Sequence, residues 1–279
     1  MRFLYTIIIF FSAQLTFAAD LKNEIKLYIF DCGSIEVSDK SLFSSGGEYH
    51  KNDAMTFANS CYLIKDGNKT LLWDTGNIDS LITKPEGEKR GGVFTVKVKN
   101  TLLSQLKEIG VKPEEIDFVA FSHMHADHTG NANYFPSATW LVQSVEYSAA
   151  FSKNPAEFRF DPNTYSTLAN SKVIKLNGDY DVFGDGAVMI YSAPGHTPGH
   201  QVLLVKLVNT GPVLLSGDLY HFDENRAHKR VPVFNFDQEQ TIAAMNRVED
   251  LIIKEKAQMW IQHDLLQSNS RKHSPAFYA

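Results

Sequence analysis

The sequence predicts an α+β protein built as an αβ/βα four-layer sandwich, two central mixed sheets packed face to face with helices outside. Three observations predict it. Each half of the chain reads as strand hairpins followed by strand–helix units, and no composition break marks a linker between the halves. Such an inventory buries its apolar faces by stacking sheet on sheet and covering the outer faces with helices. Side chains suited to metal binding also recur directly after several predicted strands, as though gathered at one end of the sheets.

Length and composition set the frame. With 279 residues, 43% of them hydrophobic and 21% charged, the chain has ordinary globular composition and a sizeable core. A net charge of −5 carries no electrostatic footprint for nucleic acid, and no basic face suggests a membrane surface. Residues 1–19 read differently. Met1-Arg2 supplies a positive start, Phe3 to Phe11 is apolar apart from Thr6, and Ala18-Ala19 are small. This is the pattern of a signal peptide, its apolar core too short to span a bilayer, with an uncleaved N-terminal anchor as the alternative. The mature protein, residues 20–279, is therefore expected as one domain, exported to the periplasm or secreted, with no membrane attachment after signal removal. Its oligomeric state is not legible. Cys32 and Cys61 are the only cysteines. Two do not make a disulfide framework, and buried free thiols are expected.

Each element has its own signal. Ile25 to Phe30 alternates like a half-buried strand. Residues 38–58 are rich in Ser and Gly with scattered aromatics, a candidate wall of a binding pocket. Cys61–Lys65 and Thr70–Asp74 flank Asp66-Gly67-Asn68-Lys69, a hairpin signal. Gly87 to Gly92 reads as a charged, flexible connection. Leu102, Leu103, Leu106 and Ile109 have helical spacing, with Gly110 placed as a C-cap. Strands follow at 116–121, 139–142, 172–176, 187–192, 201–208, 213–216 and 257–261. Helices are expected at 145–151 and 238–254.

The densest signal is Ser122-His123-Met124-His125-Ala126-Asp127-His128, on the loop after the strand at Ile116–Phe121. Imidazole and carboxylate together suit zinc or another first-row transition metal, whereas calcium and magnesium want all-oxygen shells. One short loop can hardly wrap four donors round one tetrahedral ion, so His123 and His125 are assigned to one metal and Asp127 and His128 to a second. Three later strand ends add candidates: His196 in Pro194-Gly195-His196-Thr197-Pro198-Gly199-His200, Asp218 in Ser216-Gly217-Asp218, and His263 in Gln262-His263-Asp264. His200 is expected to support the site rather than bind metal.

Taken together, His-x-His-x-Asp-His followed by His196, Asp218 and His263 resembles the signature of the metallo-β-lactamase superfamily, over nearly the whole mature chain. Phe30-Asp31-Cys32-Gly33, Leu72-Trp73-Asp74-Thr75-Gly76, Ser216 to Phe222, Arg230-Val231-Pro232 and Phe234 to Asp237 resemble the N-acyl homoserine lactonases within it. That resemblance implies two Zn²⁺ ions per chain, other divalent transition metals being possible. His123, His125 and His196 would hold one, Asp127, His128 and His263 the other, with Asp218 and a hydroxide bridging them. Asp74 would orient a ligand histidine. The implied substrate is a small-molecule lactone, opened by hydroxide attack while Asp127 passes a proton to the leaving oxygen. Some lactonases of this kind carry a catalytic tyrosine three positions after the bridging aspartate; here that position is His221, next to Tyr220. His221 is expected either to stabilise the carbonyl oxygen in its place or to face away. A thioesterase, β-lactamase or phosphotriesterase on the same metals is the alternative, and a di-iron redox protein a more distant one.

Overall fold

A computed structural model describes residues 24–279; the expected signal peptide at 1–19 lies outside them. The chain opens with two long paired strands, β1 (Lys26–Val37) and β2 (Met55–Asp66). A tight turn at Gly67-Asn68, with Gly67 at φ 58°, leads into β3 (Lys69–Trp73). The connection expected at 87–92 is instead a hairpin of β4 (Glu88–Arg90) and β5 (Phe94–Lys97), turned at Gly91-Gly92 with both glycines at positive φ. Charged residues masked it: Glu88, Lys89 and Arg90 give no apolar alternation, because this strand lies at the sheet edge.

Helix α1 (Leu102–Glu108) follows, capped at its start by Thr101 Oγ1 and released by Gly110 at φ 70°. Strand β6 (Phe118–Ala120), the single turn α2 (Ala126–Thr129), β7 (Thr139–Gln143), α3 (Ser144–Ala150) and β8 (Val173–Leu176) complete the first half. The second half runs β9 (Tyr180–Asp181), β10 (Val188–Ser192), β11 (Gln201–Leu207), β12 (Gly211–Leu215), α4 (Asp223–His228), α5 (Gln238–Glu255), β13 (Gln258–Trp260), α6 (Leu265–Asn269) and β14 (Phe277–Tyr278).

These strands form two sheets. The larger runs β4-β5-β1-β2-β3-β6-β7-β8 with β14 beside β1, and the smaller runs β13-β12-β11-β10-β9. Both are mixed: β3, β6, β7 and β8 pair in parallel, as do β12 and β13. Period-two alternation builds the four layers. Leu27, Ile29, Tyr62, Ile64, Leu71 and Trp73 of the larger sheet meet Ile190, Leu203, Val205, Val213 and Leu215 of the smaller in one buried cluster. Their neighbours face outward: Phe30, Leu63 and Leu72 pack under α1 and α3, and Val202, Leu204 and Leu214 under α5. Fully burying each of these side chains is worth about 1.5–3 kcal/mol, which holds the layers in register.

One expectation is overturned. Cys32 and Cys61 form a disulfide, with Cα atoms 5.9 Å apart. The reason is topological. β1 and β2 pair as neighbours, and the register shift between Asp31 and Ser34 carries Cys32 beside Cys61. Sequence separation alone does not reveal such a shift.

Candidate metal centre

Four strand ends converge between the two sheets. The loop after β6 carries His123 and His125, α2 carries Asp127 and His128, and the β10–β11 loop carries His196. Asp218 follows β12, and His263 follows β13. Close backbone approach makes this possible. Gly217 has φ 50°, and a Cβ there would stand 2.5 Å from Ser122 Cβ and 2.7 Å from His200 Nε2. Gly195, at φ 133°, would drive a Cβ to 2.3 Å from the Thr241 backbone nitrogen. Only glycine fits either place.

The seven expected ligand side chains all come together. His123, His125, His196 and Asp218 form one group of donors, and Asp127, His128 and His263 another. In the first, His125 Nδ1 stands 2.8 Å from His123 Nε2 and 3.1 Å from His196 Nε2. In the second, His128 Nε2 and His263 Nε2 are 3.3 Å apart, and Asp127 Oδ2 lies 3.7 and 3.6 Å from them. Asp218 straddles both. Its Oδ2 is 3.3 Å from His196 Nε2, and its Oδ1 is 3.1 Å from both His128 Nε2 and His263 Nε2.

The outward nitrogens explain why these are metal donors rather than a hydrogen-bond network. His128 Nδ1–H donates to Asp74 Oδ2 at 3.1 Å, His263 Nδ1–H to the Ala58 carbonyl at 2.8 Å, and His196 Nδ1–H to Asn235 Oδ1 at 2.9 Å. His125 Nε2–H donates to the Phe158 carbonyl at 3.2 Å, and His123 Nδ1–H to Ser122 Oγ at 3.1 Å. Each ring has therefore spent its one neutral N–H on an oxygen, and turns a lone pair inward. Lone pairs facing one another at 2.8–3.3 Å repel unless a cation lies between them. Tetrahedral zinc with ligands at about 2.0–2.1 Å sets them about 3.3 Å apart. The donor set fits a divalent transition metal.

The model of the metallo-β-lactamase superfamily matches residues 55–253. The chain belongs to the metallo-β-lactamase superfamily. Within it, the chain is 31% identical over 222 residues to an N-acyl homoserine lactonase of Bacillus cereus, covering 78% of this chain and 85% of that one. It is 30% identical to the N-acyl homoserine lactonase AttM of Azorhizobium caulinodans, over 92% of this chain and 99% of that one. A solved N-acyl homoserine lactone hydrolase, holding the product N-hexanoyl-L-homoserine at its catalytic metal centre, superposes with a TM-score of 0.79 at 27% identity. That match covers 91% of this chain and 99% of the other.

The members of the superfamily signature sit in a charge environment that the fold makes extreme. Burial opposes charge on His128, but the carboxylates of Asp218, Asp127 and Asp74 raise its pKa well above the usual range, so the position draws positive charge, which a cation on the inward nitrogen of the neutral ring would supply. Burial lowers His123 well below that range and His125 to about 3, with neighbouring imidazoles adding to the effect. Burial would raise Asp218, yet His128 and His263 hold its carboxyl well below normal. Asp127 is likewise lowered against burial, by the same two histidines, and its side chain is 25% exposed against 5% for Asp218. Asp127 is thus the ionised acid that faces the cavity.

The remaining expectations fall into place around this centre. His200 supports it: Nδ1–H donates to the Ala193 carbonyl at 3.0 Å, and Nε2 accepts the Asp218 backbone N–H at 3.0 Å. Asp74 holds His128, as expected. His221 faces the site, its Nε2 3.2 Å from Asp218 Oδ2, and burial keeps it neutral with a pKa lowered to about 4. Tyr220 turns the other way, donating to Glu249 Oε1 at 3.0 Å on α5.

Three supporting residues were not assigned from the sequence. Asn235 lies within the lactonase-like Phe234–Asp237 stretch, but nothing in that stretch says its amide meets His196. Ser122 precedes the histidine cluster as an ordinary small residue. Glu146 on α3 is buried and accepts from Met124 N at 3.0 Å, Thr197 Oγ1 at 2.9 Å and Gly199 N at 2.7 Å, tying two metal-bearing loops together. A cavity of about 330 Å³ opens above the centre. His125, Asp127, Asp218, His221 and His263 form its polar floor, Phe43, Phe57, Phe94 and Phe234 line its apolar side, and Arg90 and Arg159 complete the lining.

Proposed function

We propose that this chain hydrolyses N-acyl homoserine lactones to the open-chain N-acyl homoserines, with two zinc ions held in the converging donor groups. His123, His125 and His196 would hold one ion and Asp127, His128 and His263 the other, with Asp218 between the two donor groups. The observation that carries this reading is a cavity with an aromatic wall whose floor is the double donor set, in a chain similar along most of its length to N-acyl homoserine lactonases. An apolar wall suits an acyl chain, and a net charge of −5 suits an uncharged ring better than an anionic ester.

When bound, the metals activate the attacking water and polarise the ring carbonyl. The chain's own residues do the rest. Phe43, Phe57 and Phe234 seat the acyl tail and exclude bulk water. Water adds to the ring carbonyl carbon, the ring C–O bond breaks, and the ring oxygen leaves as a hydroxyl. Asp127, ionised and facing the cavity, takes the proton that the water sheds and returns it to the departing oxygen. Neutral His221 carries a single N–H, and with Asp218 Oδ2 at 3.2 Å that proton belongs on Nε2. Its part is to steady the Asp218 carboxylate and close the aromatic side of the floor. Export belongs to the same reading, supported by the Cys32–Cys61 disulfide, which suits an oxidising compartment.

The test is acid release, followed with a pH indicator, from N-acyl homoserine lactones of several chain lengths, with and without chelator. Release that chelator abolishes and zinc restores supports the reading. A preparation holding two metals per chain that releases no acid from any lactone overturns it, and thioesters, β-lactams and phosphotriesters become the next substrates.

A further inference from the structure

Two arginines line the cavity, and the hydrolytic chemistry leaves both without a task. Arg90 turns its Nε onto Glu88 Oε1 at 3.3 Å. Arg159 differs. Its guanidinium forms no ion pair among the described residues and lies over the Phe234 ring, 5.2 Å from the centroid. Its backbone sits at φ 61°, ψ 25°, where few non-glycine residues are found. The residues on either side are both tied to the metal floor. The Phe158 carbonyl accepts His125 Nε2–H at 3.2 Å, and Phe160 pairs with His125 in an isolated antiparallel bridge. Phe234, which carries the guanidinium, in turn stands 6.1 Å from the His196 ring and 6.0 Å from the His221 ring. A planar cation is thus seated on an aromatic ring beside the floor, its donors unused among the described residues.

A neutral N-substituted lactone whose ring carbonyl reaches that floor brings one further strong acceptor. In an N-acylated lactone it is the amide carbonyl, three bonds from the ring carbonyl carbon. A guanidinium stacked on an aromatic face keeps its donors in one plane and suits a planar acceptor, and a hydrogen bond from a charged donor is stronger than a neutral one. We propose that Arg159 is a specificity-determining residue that donates to the acyl amide carbonyl, so that the site selects N-acylated lactones over lactones without the amide. This rests on the lactonase reading.

The experiment uses the zinc-loaded mature chain and the variants Arg159→Ala and Arg159→Lys. It measures kcat and KM on N-hexanoyl homoserine lactone and on γ-decalactone, which has an apolar tail and no amide, and the Kd of N-hexanoyl-homoserine by calorimetry. Arg159→Ala is expected to raise KM for the amide substrate and Kd for its product about tenfold, the scale of a charge-assisted bond. Its kcat stays within about twofold, and γ-decalactone is unaffected. Lysine, a point charge without the stacking plane, restores only part. Equal losses on both lactones would mean that Arg159 merely packs the rim, and no change on either would mean that it touches nothing; each overturns the inference while the lactonase reading stands. A wild-type chain that opens neither lactone overturns both.

Discussion

Asp74 Oδ2 stands 3.1 Å from His128 Nδ1, joining residues 54 apart in the sequence, and both side chains are wholly buried. The same carboxylate accepts the Ser122 backbone N–H at 2.7 Å and the Ser122 hydroxyl at 3.0 Å. It therefore clamps the end of β3 to the loop after β6, strands that already pair in parallel at Trp73 and Ala120. The histidine ring, its tautomer and the loop that bears it are set by one acid.

Asp74→Asn is expected to weaken zinc binding about 10–100-fold, the usual cost of losing a partner behind a ligand, while the fold persists. Asparagine tolerates the φ of 57° found here but offers one acceptor oxygen where Asp74 uses two. Competition against a chromogenic chelator measures it. Unchanged affinity would mean that Ser122 alone orients His128.

The disulfide closes a loop of 29 residues. On the loop-entropy relation, Cys32→Ser with Cys61→Ser should lower stability by about 3–4 kcal/mol. Gly76, two residues beyond Asp74, leaves no room beside the bridge: a Cβ there would lie 2.2 Å from Cys32 Cβ and 2.9 Å from Cys61 Sγ. Urea denaturation with and without reductant separates the bridge from side-chain effects. If reduction leaves the wild-type midpoint in place, the bridge contributes nothing.

Burial raises the Glu146 carboxyl from 4.5 to about 7, despite donors from Gly199, Thr197 and Met124. A folded pKa above the unfolded one means that the native state binds the extra proton between about 4.5 and 7. Wild-type stability relative to Glu146→Gln should therefore fall by roughly 3 kcal/mol as pH rises through that window, then level off above it. Denaturation of both metal-free proteins from pH 4.5 to 8 tests this, since other titrating groups cancel in the difference. A difference that rises with pH would put the carboxyl pKa below its ordinary value.

Adjacent aromatics should behave oppositely. Tyr220→Phe removes a hydroxyl bonded to Glu249, away from the cavity, and should cost about 1 kcal/mol of stability with kcat unchanged. His221→Phe keeps the ring but frees Asp218 Oδ2 of its partner, and should lower kcat about tenfold or more. Thermal melts and steady-state rates on one lactone compare them. A Tyr220→Phe variant that loses kcat would return the catalytic part to the tyrosine.

Much of this protein is legible along one dimension. Alternation in Leu71-Leu72-Trp73 and in Val202 to Val205 shows which residues face which layer, because side-chain direction in a strand repeats every two residues. Donor chemistry in His123 to His128, and the strand ends bearing His196, Asp218 and His263, mark the centre from residue type and order alone. Three-dimensional packing decided what depends on partners far along the chain. The register shift in β1 brought Cys32 to Cys61 and made a bridge of two expected thiols. Edge position hid the β4–β5 hairpin behind charge. Which acceptor each ligand histidine faces, whether Tyr220 or His221 turns inward, and where Arg159 lies all follow from contacts between elements far apart in the sequence. Local sequence specifies periodicity and chemistry; a hydrogen bond across 54 residues exists only once β3 and β6 have paired side by side in one sheet.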